Sequence, residues 1–547
     1  MDRRFFLQIS ALAAASSLAG WKFAGAAPAR TTPGGYDAVV IGAGLGGLSC
    51  AAHLARNGFR TAVIEQHDVP GGYATSFARA AKGREFTCEV SLHATALGVP
   101  GTRRMLEDLG VWDRLSLAEH PHAWSSRFPG FSLDIPARAG LDGFERQLAG
   151  LFPDEAGGLA DYFAVWRGVM AEMAELEKGL PAAKKAMFPA LFKNLWAIRD
   201  KTVGQLADAH VKNPRLKAAL TQSCGYYGLP PSRLSAFYYL YPTGQYLEYG
   251  GVYVKGTSQA LSDALARAVI EAGGEVVLST RVTSILVEDG RAAGVGTADG
   301  REFRSRAVVA GASAPQVFGT LLPPGAAPQK EVARLDALSP SPGSFIVWLG
   351  LDRDITGQVR EPEMSFCASL DMDASYAACM DCDFERSGFS LMVYDNLVPG
   401  FSPPGCSSVG LMSICGYEPW KRFEADYLSG VAGRKEAYRA RKNQLADTLV
   451  RMAEQRAIPG LSKMIAMREC ATPLTNLRYT LNTAGAIYGY NQTVDNSFMT
   501  RLPNRTGVPG LYLASAWGNP GGGFGGALSG GKKAFKDVAE ALAGEKS

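Results

Sequence analysis

The chain has 547 residues, 47% apolar and 20% charged, which is enough to bury a sizeable core and too apolar for a disordered or fibrous protein. At about 150 residues per domain, that length means two to four domains or one large domain with an insertion. Fifty-six basic against 52 acidic residues leaves +4, too weak for an electrostatic nucleic-acid binder, so nucleic acid is not an expected partner.

Residues 1–29 read as an export signal. Arg3-Arg4 precedes Phe5-Phe6-Leu7, a mild alanine-rich run follows from Ile9 to Gly20, and Ala24-Gly25-Ala26 and Ala27-Pro28-Ala29 both suit cleavage. The run is short for a membrane span. The paired arginines resemble the twin-arginine class, which exports folded proteins and so suits cargo that loads a cofactor first. The expected location is periplasmic or otherwise extracytoplasmic. The other reading of the segment is a tethered N-terminal helix.

Tyr36 to Ile41 reads as a short buried strand, Gly42-Ala43-Gly44-Leu45-Gly46-Gly47 as a turn, and Leu48 to Asn57 as a helix closed by Gly58. Thr61 to Ile64 is a second strand, ending at Glu65. This is a dinucleotide fingerprint in its proper context. Gly42 makes the tight turn, Gly44 admits a pyrophosphate to the backbone, and Gly47 lets the helix pack on the strand. The helix start offers free N–H groups to phosphate. Glu65 can accept from ribose hydroxyls and disfavours a 2′-phosphate. Gly71-Gly72, followed by Tyr73 to Phe77, resembles the extension of two-dinucleotide-binding-domain flavoproteins, which implies FAD. It would be held non-covalently, since no histidine or cysteine sits in the fingerprint. No second fingerprint follows, so a separate NAD(P)H domain is not expected.

The insertions carry less pattern. His120 and His122 form an H-x-H with no third ligand, and Cys379 and Cys382 form a lone C-x-x-C among nine scattered cysteines, so no metal site is expected. The two cysteines are either a local disulfide or two free thiols. Leu159 to Leu180 reads as an amphipathic helix. Met187 to Phe192 and Leu195-Trp196 lie among Lys184, Lys185 and Lys193, and suit either a membrane surface or a core with snorkelling lysines. Tyr226, Tyr227, Phe237, Tyr238, Tyr239 and Tyr241 could line a tunnel for a long apolar substrate or fill a core. Glu275 to Leu278, Arg281 to Glu288 and Val308 to Ala312 look like nucleotide-domain strands, with a turn at Asp289-Gly290. Ser344 to Gly350 and Ser408 to Gly416 read as buried strands roofing the cofactor. Leu511 to Ala514 is a last strand, running through a glycine-rich turn into a helix from Phe524 to Lys536. The start of that helix can aim N–H groups at charge gathering on a reduced flavin.

Several segments resemble the phytoene desaturase, carotenoid isomerase and retinol saturase family of FAD-dependent oxidoreductases. Glu89-Val90-Ser91-Leu92-His93 is similar to the family's acid-x-Gly-x-His segment, with Ser91 in place of glycine. Asn213 to Lys217 with Gly228-Leu229-Pro230-Pro231, Tyr253 to Leu261, and Thr472-Pro473 with Gly485 to Gly489 follow in order. Leu511 to Gly523 is the strongest match. The resemblance spans most of residues 36–540. It implies a backbone contact from Val282 to adenine, a turn at Asn519, Gly521 and Gly523 beneath the flavin, and Tyr488 on the substrate face. His93 is a candidate proton donor or a structural histidine. Many flavin amine oxidases carry an acid where Ala516 stands, and Ser515 replaces a glycine usual in the family.

The expectation is therefore an α/β fold. A Rossmann-type FAD-binding domain comprises residues 36–99, 246–324 and 481–545, and an inserted mixed α+β substrate domain comprises 100–245 and 325–480. The implied reaction acts on C–C or C=C bonds of an apolar isoprenoid or polyene, by desaturation, saturation or isomerisation. A quinone, oxygen or small electron carrier would be the redox partner. The rival readings are an amine- or porphyrinogen-type oxidase and a flavin-holding lipid carrier without turnover.

Overall fold

The computed structural model describes residues 35–181 and 186–544. The export-signal reading of residues 1–29, with Arg3 and Arg4, and the lysines Lys184 and Lys185 lie outside the described residues. Two seven-stranded sheets organise the chain.

The first sheet runs Val282–Glu288, Arg291–Thr297, Glu302–Ala310, Tyr36–Ile41, Thr61–Ile64, Glu275–Val277. The Tyr36–Ile41 strand is parallel to both of its neighbours, and its C-terminal end is the point at which the sheet order switches direction. In open α/β sheets that crevice is where ligands sit. Glu302–Ala310 pairs antiparallel with the Arg291–Thr297 strand through its first half, then parallel with Leu511–Leu513 through its second. The last strand of the chain is thereby brought within one strand of the first, with Glu302–Ala310 between them. Asp289 and Gly290 both have positive φ, +50° and +74°, as a tight hairpin turn between twisted strands requires.

The second sheet runs Ile465–Ala471, Gly343–Leu351, Ser407–Cys415, Gly388–Val393, Glu363–Cys367, His122–Phe128, Phe131–Pro136. Every residue of Gly343–Leu351 is buried, which explains the apolar run Phe345–Leu349. Helices Gly140–Leu151, Ala156–Glu177 and Ala236–Tyr249 pack together beside this sheet around Trp166, whose indole N–H donates to the Leu240 carbonyl at 2.8 Å. The Ala236–Tyr249 helix belongs to that cluster, so the helical layer runs to Tyr249.

Among the boundaries that differ from the sequence reading, two are at the helices of the nucleotide domain. The first helix is Leu45–Arg56, so Gly46 and Gly47 lie within its opening turn. The last helix runs Phe524–Gly544 rather than stopping at Lys536, because Val538 and Leu542 continue its buried face. The C-x-x-C forms no disulfide. Cys379 Sγ lies 3.5 Å from Ser413 Oγ, and Cys382 Sγ lies 3.2 Å from Cys415 Sγ, so the pair faces two alternate residues of the neighbouring strand. His120 and His122 also diverge: His120 Nε2 meets the His93 carbonyl at 3.0 Å and His122 Nδ1 meets Glu361 at 2.8 Å. No described helix is long and apolar enough to cross a membrane.

Candidate active site

One cavity of about 3150 Å³ runs between the two sheets. Pockets for a single drug-sized ligand span about 300–1,000 Å³, so this one has room for a dinucleotide and a second long molecule.

Its nucleotide end is built by the fingerprint. Gly42 holds φ +88°, and its N–H donates to the Ile64 carbonyl at 2.8 Å. A Cβ on Gly47 would lie 2.2 Å from the Gly42 carbonyl oxygen, which is the close helix–strand approach the spacing requires. A Cβ on Gly44 would meet no protein atom within 4 Å; that face opens on the cavity. Gly71, at φ +132°, donates its N–H to the Ala43 carbonyl at 2.8 Å, and the Cβ position of Gly72 lies 3.4 Å from the Gly44 Cα. The second glycine pair thus braces the phosphate loop from behind. Glu65 is buried, with one carboxylate oxygen accepting from the Ala43 N–H (2.7 Å) and the other from the His67 N–H (2.9 Å). A carboxylate has about four acceptor sites, so two remain for a ribose. Val282 lines the same end with Ser279 and Arg281.

The far wall is the C-terminal turn. Asn519 Oδ1 accepts from Lys533 Nζ at 2.6 Å. Gly521, at φ +133°, sits so close to Gln492 that a Cβ would lie 2.0 Å from its amide nitrogen, while Gln492 donates to the Pro520 carbonyl at 2.9 Å. Gly523, at φ +77°, accepts at its carbonyl from the Ala527 N–H (2.9 Å) and starts the last helix. Gly522 packs against the backbone of Tyr488, whose N–H donates to Ser341 Oγ at 2.9 Å. Tyr488 and His93 both line the cavity. Burial holds the His93 imidazole below its ordinary pKa, with the Glu363 carboxylate opposing that shift. Its Nε2 lies 3.2 Å from Met412 Sδ and its Nδ1 is buried without a hydrogen-bond partner.

The same cavity carries an aromatic arm of Tyr226, Tyr227, Phe237, Tyr238 and Tyr241. Of the six aromatics left open between tunnel and core, Tyr239 takes the core. It points into the helical core, where its hydroxyl donates to the Leu220 carbonyl at 2.6 Å.

The residues present fit a flavin dinucleotide. An open glycine cradle at a helix start, a buried carboxylate with free acceptor sites and a second helix start face one elongated cavity. Sequence reasoning missed three features. Glu89 is a buried brace, accepting from Tyr253 Oη (3.0 Å), the Ser258 N–H (2.8 Å) and Ser258 Oγ (2.6 Å). Tyr226 is one of the expected aromatics; what the sequence does not show is that its hydroxyl donates to Glu363 behind the cavity wall. Arg501 lines the cavity as a buried cation. The acid in the Glu89–His93 segment was the one available signal; nothing local marks the other two.

A family model described as flavin containing amine oxidoreductase matches residues 45–402. Prolycopene isomerase 1 of an Oncidium hybrid cultivar is 24% identical over 489 residues, covering 87% of this chain and 79% of its own. The lycopene-forming phytoene desaturase of Pseudescherichia vulneris is 27% identical over 512 residues, covering 90% and 97%. In structure, the cyclohexylamine oxidase of Brevibacterium oxydans superposes with a TM-score of 0.58 at 18% identity, over 93% of this chain and 99% of that one. The chain belongs to the flavin containing amine oxidoreductase family and is an FAD-dependent oxidoreductase similar to carotenoid isomerases and phytoene desaturases.

Proposed function

We propose that the protein holds FAD non-covalently and acts on C–C or C=C bonds of an apolar isoprenoid or polyene. The observation that carries this reading is the aromatic arm: Tyr226, Tyr227, Phe237, Tyr238 and Tyr241 line a cavity of about 3150 Å³, more than a dinucleotide fills. The flavin supplies hydride or electron transfer. The chain's own residues orient the substrate along the arm, keep water from it, and hold the flavin against the glycine turn. The phenols of the arm are tied to protein acceptors rather than left free: Tyr227 Oη to Thr243 Oγ1 at 2.6 Å, Tyr241 Oη to Glu177. A polyene, which offers no hydrogen bonds, leaves none of these groups unpaired.

An exposed apolar patch next to the arm favours delivery from a membrane surface. Phe498 stacks on Phe237 with ring centroids 4.1 Å apart and touches Phe188 at 6.3 Å. Around them Met187, Leu191, Trp196 and Met499 are exposed, with Lys193 beside them. Electrons would leave to a quinone, oxygen or a small carrier, and the location would be extracytoplasmic.

The deciding experiment mixes the purified yellow protein anaerobically with polyenes, phytoene and prolycopene included, and separately with amines and porphyrinogens. Flavin bleaching or a changed product by chromatography with polyenes alone supports the reading. Bleaching by amines alone overturns it. A flavin unaffected by every compound, with no product, returns the protein to a carrier.

A further inference from the structure

Arg501 is 4% exposed, yet its guanidinium pairs with no carboxylate among the described residues. Its fork is spent on backbone: Nε donates to the Gly518 carbonyl (3.0 Å), Nη1 to Tyr490 (3.2 Å) and Nη2 to Ala516 (2.7 Å). Removing a lone cation from water is expensive, and carbonyl dipoles offset only part of that cost. Burial lowers its pKa to about 10, so it stays charged at neutral pH. The titratable groups that act on it are Tyr238 and Tyr490, both phenols that burial keeps neutral. The protein therefore carries a buried positive charge that it does not itself neutralise.

The position of that charge says what does. Arg501 opens on the same cavity as Gly44 and Gly522, and it grips the two carbonyls that flank Trp517 where the last strand turns toward the last helix. A flavin in this cavity gains negative charge when it accepts electrons, and the start of the Phe524–Gly544 helix faces the same space.

We propose that Arg501 is the counter-charge of the reduced flavin, a fixed cation behind the Ala516–Gly518 turn that makes the bound cofactor a stronger electron acceptor. The inference rests on the flavin that family membership supplies, not on the polyene reading. Arg501 exchanges neither proton nor electron. Whenever the flavin takes electrons, from substrate or from a dye, the guanidinium shifts that equilibrium by its field. Because it also clamps three carbonyls, its charge and its fork must be separated by experiment.

The experiment titrates holoenzyme against a redox dye of known potential, without oxygen and without substrate, for the native protein, Arg501→Gln and Arg501→Lys. A unit charge acting through an effective dielectric of about 20 across one side-chain layer is worth about a factor of ten or more. Arg501→Gln is expected to shift the flavin–dye equilibrium at least about tenfold toward oxidised flavin, about 30 mV for a two-electron couple. Arg501→Lys, which keeps the charge and loses the fork, is expected to stay close to the native value. A native potential in Arg501→Gln overturns the proposal. So does a shift in Arg501→Lys as large as in Arg501→Gln, which would make the residue a clamp only. Should Arg501→Gln fail to retain FAD, Ala516→Asp decides, because it sets a carboxylate beside the intact guanidinium. The same direction of shift is expected there, and an unchanged potential overturns the proposal.

Discussion

A Cβ on Gly46 would lie 2.0 Å from the carbonyl oxygen of Ala514, so the first helix and the last strand of the nucleotide domain meet backbone to backbone. The last helix closes the same joint: a Cβ on Gly531 would lie 2.3 Å from the Gly46 carbonyl, and Ser49 Oγ donates to the Leu528 carbonyl at 2.8 Å. Backbone cannot swing aside as a side chain can. Gly46→Ala should therefore cost at least about 3 kcal/mol, at or beyond the upper end of ordinary overpacking. Thermal unfolding and FAD content should fall together. Gly150→Ala, on an exposed helix position with nothing within 4 Å, is the control and should gain up to about 1 kcal/mol. Equal stability of Gly46→Ala and the native protein would contradict the joint.

Gly44 makes the opposite case. Its Cβ position is empty of protein, so Gly44→Val should fold with a near-native unfolding midpoint when both proteins are stripped of flavin. The side chain would instead fill the space of the pyrophosphate. The expected outcome is a colourless, folded protein, checked by the absorbance ratio of flavin to protein. A yellow Gly44→Val would remove the phosphate from this loop.

How legible each region is from sequence follows from how local its cause is. The glycine fingerprint, Glu65 and the paired Gly71-Gly72 all fall within residues 42–72, inside one strand–helix–strand unit, so spacing alone marks them. Adjacent aromatics look alike in a string, so sequence alone leaves Tyr239 open between tunnel and core together with its neighbours. On a helix they diverge, and Tyr239 turns into the core while Phe237, Tyr238 and Tyr241 face the cavity. Arg501 and the Tyr226–Glu363 contact had no local signature. Each gains its meaning from a partner brought from a distant strand or loop, and one arginine among many carries no pattern.

Glu89 gives a pH-dependent prediction. Burial raises its carboxyl above the usual 4.5, against the hydrogen bonds of Ser258, Leu92 and Tyr253. A carboxyl whose folded pKa is raised binds its proton more tightly in the folded state. Its contribution is full below about pH 4.5 and declines as pH rises through the folded value. Glu89→Gln, which cannot ionise, should be less stable than native at pH 4 and regain part of the deficit by pH 7. Glu89→Ala should lose about 3–5 kcal/mol, since it strands buried donors. Chemical denaturation at the two pH values checks both. A Glu89→Gln deficit that widens with pH would reverse the sign.

Export is tested apart from the fold. Changing Arg3 and Arg4 to lysine should leave the flavin-loaded chain in the cytoplasm, because the twin-arginine reading rests on that pair. Fractionation followed by flavin fluorescence gives the answer, and an unchanged extracytoplasmic yield would count against this route.

Tyr488 separates substrate from cofactor. Its backbone is fixed by the bond to Ser341 and by contact with Gly522, while its ring faces the Cβ position of Gly228 at 3.0 Å. Tyr488→Ala keeps that backbone and deletes only the ring, so FAD content should be unchanged. The substrate loses a wall where the arm meets the flavin turn. A polyene has no charged handle, and its affinity comes from buried area at roughly 25 cal/mol per Å². Losing one aromatic face should then lower turnover about tenfold or more. Affinity should vary little between low and high salt, because screening acts on charges. Steady-state kinetics with a polyene that the native protein converts, at two salt concentrations, tests both. Turnover confined to a charged amine, with affinity falling steeply as salt rises, would place the oxidase reading in its stead.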